Sequence, residues 1–175
     1  MKWFALSALI GAGLLAAGCE KASTPPVSAP APASDSFVLT APQGKLRTIK
    51  LWLGPEELET EVALSPMEQA TGMMFRTNLP ENCGMIFIRP EPEQASFWMT
   101  NCPLPLGAAY IAPDGTILEI HELKSNDPTP VVSTSDNIQY VLEVNSKWFD
   151  RHNIRTGTLI TTEHGSLPDV FLRRR

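Results

Sequence analysis

Two ionisable residues of this chain sit inside otherwise apolar stretches: Arg76 at the end of Gly72-Met73-Met74-Phe75-Arg76, and Glu143 within Tyr140-Val141-Leu142-Glu143-Val144. A charge in apolar surroundings needs a partner, because unpaired burial is costly. The expectation is that Arg76 and Glu143 approach each other or share a polar pocket with Asn101. With Trp98 as an aromatic plate, these residues form the candidate ligand-binding set: Arg76, Trp98, Asn101 and Glu143. Such a mixture suits a small polar or sugar-like ligand. The alternative is an enzyme of unrecognised type in which Glu143 or Asp114 works with Arg76. Asp114 lies in a Pro113-Asp114-Gly115 turn, however, where a carboxylate is solvated rather than poised in a cleft.

Other chemistry has weaker support. His121, His152 and His164 are scattered, and no nucleophile elbow accompanies them. No catalytic residue is assigned, and a non-catalytic role is favoured. The carboxylates Glu56, Glu57, Glu59 and Glu61 alternate along one segment in the manner of a solvated strand edge. No CxxC pair, metal-spaced histidines or phosphate loop is present, so no cofactor and no zinc or nucleotide site is expected. Five of the six methionines, Met67, Met73, Met74, Met85 and Met99, cluster in one third of the domain. Thioethers fill irregular cores and also bind Cu(I). Their helix and strand spacing favours core filling, with copper binding as the alternative. A net charge of −5, from 14 Lys+Arg against 19 Asp+Glu, argues against nucleic acid as a partner.

The three cysteines divide by position. Met1-Lys2 is followed by an uncharged, mostly apolar run to Ala17, too short for the roughly 20 residues of a membrane-spanning helix. The following Leu15-Ala16-Ala17-Gly18-Cys19 resembles a bacterial lipobox. That resemblance implies a signal peptide over 1–18, a lipid on Cys19 and a cell-envelope location on the periplasmic face of a membrane. Glu20, in place of Asp, resembles the outer-membrane sorting pattern. Residues 19–44 then read as a tether rich in Pro, Ala and Ser, extending at about 3.1 Å per residue where polyproline-like.

The remaining chemistry must be positioned by the domain at 45–168, which precedes a basic tail at 169–175. Sixteen prolines beside 11 glycines disfavour a helical bundle. Imperfect alternation over 46–53 and 58–64 predicts two strands. Ser65-Pro66-Met67-Glu68 is a capping box, predicting a helix that ends near Arg76. Further strands are expected at 83–88, 96–102, 106–112, 116–123, 139–144 and 157–162, with a second short helix through Trp148-Phe149. Pairing 83–88 with 96–102 as a hairpin across the Pro-rich 89–95 segment opposes Phe87 to Trp98, Ile86 to Met99 and Cys83 to Cys102. Cross-strand neighbours are close enough for a disulfide, and an exported compartment would preserve it. Both faces of 85–88 are apolar, which places this strand in the middle of a layered structure or barrel wall. The expected fold is mainly β: a small β-barrel-like single domain with two short helices.

In order and spacing, Gly72-Met73-Met74-Phe75-Arg76, Gly84-Met85-Ile86-Phe87, Ser96-Phe97-Trp98-Met99-Thr100-Asn101, 111–115 and Tyr140-Val141-Leu142-Glu143-Val144 resemble the bacterial and archaeal DUF192 family. The resemblance implies a compact β-barrel-like domain, often exported, with no assigned activity. Here Thr100, Cys102, Gly107 and Thr158 stand where the family usually has Lys, Thr, Asp and Asp, and the Cys83/Cys102 pair is an addition. The combined reading is a lipid-anchored envelope protein whose domain binds a ligand or acts as a scaffold.

Overall fold

The computed structural model describes residues 39–172; the leader, Cys19 and the tether as far as residue 38 lie outside them. In chain order the elements are β1 (Thr48–Leu53), β2 (Glu56–Ala63), α1 (Pro66–Thr71), β3 (Cys83–Glu93), β4 (Ser96–Phe97), β5 (Leu106–Ile111) and β6 (Ile117–Leu123). There follow β7 (Val131–Val132), β8 (Ile138–Asn145), α2 (Trp148–Arg151), β9 (Ile160–Thr162), β10 (Gly165–Ser166) and α3 (Leu167–Phe171). The protein is strand-rich as expected, with a third short helix at the carboxyl end.

Eight strands form one sheet in the order β10-β9-β1-β2-β3-β8-β5-β6, and β4 pairs with β7 in a separate ribbon. The sheet is not closed into a barrel. Its two ends are stitched at one point by the Thr116–Leu159 bridge, supported by hydrogen bonds from Ile117 N–H to the Thr158 carbonyl and from Ile160 N–H to that of Gly115. Gly115 tolerates this approach because a Cβ there would lie 2.9 Å from the Ile160 carbonyl oxygen.

The capping box forms as the sequence predicts. Ser65 N–H donates to Glu68 Oε2 at 2.8 Å, and Glu68 N–H donates back to Ser65 Oγ at 3.2 Å. The helix nevertheless stops at Thr71 rather than near Arg76. Gly72 turns the chain with φ +46°, and a Cβ at that position would meet the Phe87 ring at 3.2 Å. Glycine alone lets the helix end pack this closely on β3.

The 83–88/96–102 hairpin is not formed. Both edges of β3 are already occupied, by β2 in parallel and by β8 antiparallel, so Phe87 opposes Ala63 and Val141 while Ile86 opposes Val62 and Leu142. The Pro-rich segment does not loop out but continues β3. Its register slips between Ile88 and Glu93, a gap containing Pro90 and Pro92, which have no N–H to donate. Of 96–102 only Ser96–Phe97 is strand, paired with Val131–Val132. Cys83 and Cys102 are consequently free thiols rather than a cross-strand disulfide.

Alternation along β3, β5 and β8 divides the apolar residues between two cores. Ile86, Ile88, Ala109, Tyr140, Leu142 and Val144 face one that includes Leu51, Leu58, Trp148 and Phe149. Met85, Phe87, Ala108, Tyr110 and Val141 face the other, which includes Met73, Met99 and Cys102. A middle strand covered on both sides is what the apolar 85–88 run requires. Met99 joins the Met85 face, opposite to its hairpin assignment.

Candidate functional site

The second core is not fully filled. A cavity of about 320 Å³ opens between the end of α1, strand β3 and the 96–102 segment, with Glu143 of β8 in its lining. The register explains how a charged residue reaches it. Glu61, Met85, Glu143, Ala108 and His121 follow one another across β2, β3, β8, β5 and β6, each directly opposite the next, so all five share one face of the sheet. Met85 and Ala108 therefore flank Glu143 with apolar surface.

Glu143 is only 4% exposed, and it has no hydrogen-bond or ion-pair partner among the described residues. Burial alone pushes its carboxyl up to about 8, so at neutral pH it is mostly protonated. On the backbone side, Gly84 allows the close approach of β8: a Cβ there would lie 2.7 Å from the Glu143 carbonyl oxygen. This accounts for glycine in the Gly84-Met85-Ile86-Phe87 motif.

Three other ionisable groups line the cavity. Arg89 and Glu93 form an ion pair with each other, so their charges cancel locally. The Cys102 thiol, raised to about 11 first by burial and then by the nearby Glu143, stays neutral. Its Sγ lies 3.6 Å from the carbonyl oxygens of Met73 and Leu104. The remaining walls are mainly apolar. Phe87 and Phe97 meet edge to face with centroids 5.1 Å apart, and Trp98 is half-exposed at the rim. Met73, Met74 and Met99 contribute three thioethers.

Of the four candidate ligand residues, the cavity unites Trp98 and Glu143 and excludes the other two. Arg76 pairs instead with Glu61 through two hydrogen bonds, Nη1 to Oε1 at 2.5 Å and Nη2 to Oε2 at 2.9 Å. Glu61 and Glu143 lie two strands apart with Met85 between them, about 10 Å at ordinary strand spacing. Asn101 is exposed in a left-handed turn with φ +59°, and its carbonyl accepts from Phe75 N–H at 2.7 Å. Its contribution is thus to shape the turn. Asp114 is exposed and accepts from Thr116 N–H, as its turn predicts.

The alternating carboxylates have uses of their own. Glu57 pairs with Lys50, Glu59 with Lys45 and Glu56 with His152 on the outer surface. Glu61 shares the sheet face of Glu57 and Glu59, with Glu56 on the other face, and is the one of the three drawn inward. Sequence reasoning missed Arg89, Glu93, Phe97 and Cys102 as cavity residues. The i, i+4 spacing of Arg89 and Glu93 was legible, but the proline-rich stretch between them suggested a loop.

The fold recurs in solved structures. A Sinorhizobium meliloti 1021 protein described as a candidate transcription regulator superposes with TM-score 0.65 at 26% identity, covering 69% of this chain and 97% of its own. A protein of unknown function from Novosphingobium aromaticivorans DSM 12444 superposes with TM-score 0.63 at 32% identity, covering 66% of this chain and 85% of its own. No curated protein matches. The DUF192 family model, described as an uncharacterised conserved family, matches residues 48–162, from the start of β1 to the end of β9 and so across every strand that builds the cavity. The chain belongs to the DUF192 family.

Proposed function

We propose that this protein is a non-catalytic binding domain, held at the cell envelope by a lipid on Cys19, that captures a small organic ligand in the cavity beside Glu143. The observation that carries this reading is Glu143 itself, a buried carboxyl without a partner among the described residues, at the wall of a mainly apolar cavity. An orphaned buried polar group costs about 1–3 kcal/mol, and a ligand that satisfied it would recover that energy on binding. The volume lies at the small end of the range for ligand sites. The anchor and tether are supported by the lipobox-like Leu15-Ala16-Ala17-Gly18-Cys19 and the Pro-rich stretch that follows. Membrane attachment thus rests on sequence. The test is thermal shift of the purified full-chain protein across a library of envelope metabolites. A concentration-dependent rise in melting temperature supports binding, and a flat response across the library defeats it.

One observation favours a second reading. Met73, Met74, Met99 and Cys102 line the same cavity, and thioether and thiol are the donors Cu(I) prefers. Against it, the cavity is far larger than an ion and the Cys102 thiol is neutral. Titration with Cu(I) under reducing conditions separates the two: stoichiometric binding lost in M73L/M99L supports copper, and absence of binding removes it.

A further inference from the structure

The cavity also defines the chemistry of what it holds, an inference that rests on the binding role proposed above. Its four ionisable groups do not contribute equally. Arg89 and Glu93 neutralise each other, and Cys102 remains an uncharged thiol. Glu143 alone is left without a counterion, buried to 96% between Met85 and Ala108. The complement that would hold it as a carboxylate is a cation that donates hydrogen bonds. The walls point the same way. Aromatic faces attract cations through the ring quadrupole, and thioethers are polarisable neighbours. Phe87, Phe97, Trp98, Met73, Met74 and Met99 surround the space that leads to Glu143. An anion would meet no uncompensated positive charge there, and the many hydroxyls of a sugar would find Gln69, Thr71, Ser96 and Thr100 on part of the lining but rings and thioethers on the rest.

We infer that the ligand is an organic amine with a compact apolar body, its ammonium hydrogen-bonded to Glu143 and its body packed between the methionine and aromatic walls. Before binding, the carboxyl is largely in its acid form at neutral pH. As the ammonium enters, the acid proton leaves to solvent and the carboxylate takes the ammonium as its counterion. Binding is thus coupled to release of close to one proton per site. The groups that face Glu143 do not mask this release. Cys102 and Tyr110 are both held neutral by burial, and Met85 and Ala108 do not titrate. Arg89 is paired with Glu93 at the rim. Farther along the same sheet face, Glu61 is paired with Arg76 and His121 with Glu119.

The experiment compares three probes of one shape on the full-chain protein: phenethylamine, 2-phenylethanol and phenylacetate. Calorimetry at pH 7 in two buffers of different ionisation enthalpy counts protons. The inference expects the amine to bind at least tenfold more tightly than the alcohol, with about one proton released and no binding of phenylacetate. E143Q is expected to lose the amine preference while still accepting the alcohol, which also shows that the variant folds. Proton release in the wild type tests the inference without any variant. Preferential binding of the alcohol or acid, or amine binding without proton release, overturns the amine assignment and leaves a ligand-binding cavity standing. Silence of all three probes overturns it as well. The binding role itself is removed by the separate result, a flat response across the metabolite library.

Discussion

Glu61, not Glu143, holds the Arg76 guanidinium, through the bidentate pair at 2.5 and 2.9 Å. The two carboxylates share a sheet face and are separated by Met85 of β3. One acid is thereby neutralised and used to fix the chain that follows α1. The other is left alone beside the cavity. This division of labour between two glutamates is the central feature of the site.

The Arg76–Glu61 pair is expected to be structural. Its side chains are 15% and 13% exposed, and removing one partner strands the other. R76M is expected to lower unfolding free energy by about 1–3 kcal/mol in urea denaturation. The double variant R76M/E61M is expected to recover much of the loss, because neither charge is then stranded. Because Arg76 lies outside the cavity lining, ligand response per folded molecule is expected to survive R76M. Loss of ligand response in a folded R76M protein would return Arg76 to the site.

Glu143 makes stability fall as pH rises. Its carboxyl lies near 8 in the folded state against an ordinary value of 4.5, so between those limits the native protein holds a proton that the unfolded chain releases. Stability decreases with pH wherever the unfolded state binds fewer protons, by up to about 1.4 kcal/mol per pH unit for one group. The melting temperature of the wild type is expected to drop between pH 5 and pH 8 relative to that of E143Q. The three histidines are common to both proteins and drop out of the difference. Parallel pH profiles for the two would contradict an isolated buried acid.

The cysteines are expected to titrate as two thiols. Cys102 is 3% exposed and Cys83 is half-buried at the start of β3. Burial raises both thiols, Cys102 to about 11. Alkylation followed by mass spectrometry is expected to label Cys83 first in the native protein, and both residues after denaturation without reductant. Protection of both after denaturation would show that they are bonded to each other after all.

Much of the architecture is legible in local sequence. The β character follows from proline and glycine content and from alternation. The first helix follows from a capping box whose four residues carry both reciprocal bonds. The covered middle strand follows from apolar residues on both faces of 85–88. These features depend on neighbours in the chain or on one side chain's preference for being dry, so reading along the chain suffices.

What lay beyond local reading was partnership between distant segments. The hairpin rule assigns 83–88 to its next neighbour, yet β2 and β8 occupy both edges of β3, and the candidate cysteine bridge disappears with the hairpin. Arg76 and Glu143 each signalled a buried charge needing compensation, and for Arg76 that was right. Which acid it meets depends on strand register, since one strand of offset moves a carboxylate by about 5 Å. Composition and periodicity thus set which residues are buried and in what kind of element. Only the tertiary register decided that Glu143 is buried without a partner among the described residues, because pairing across a sheet is set by the competition among all strands for the same edges.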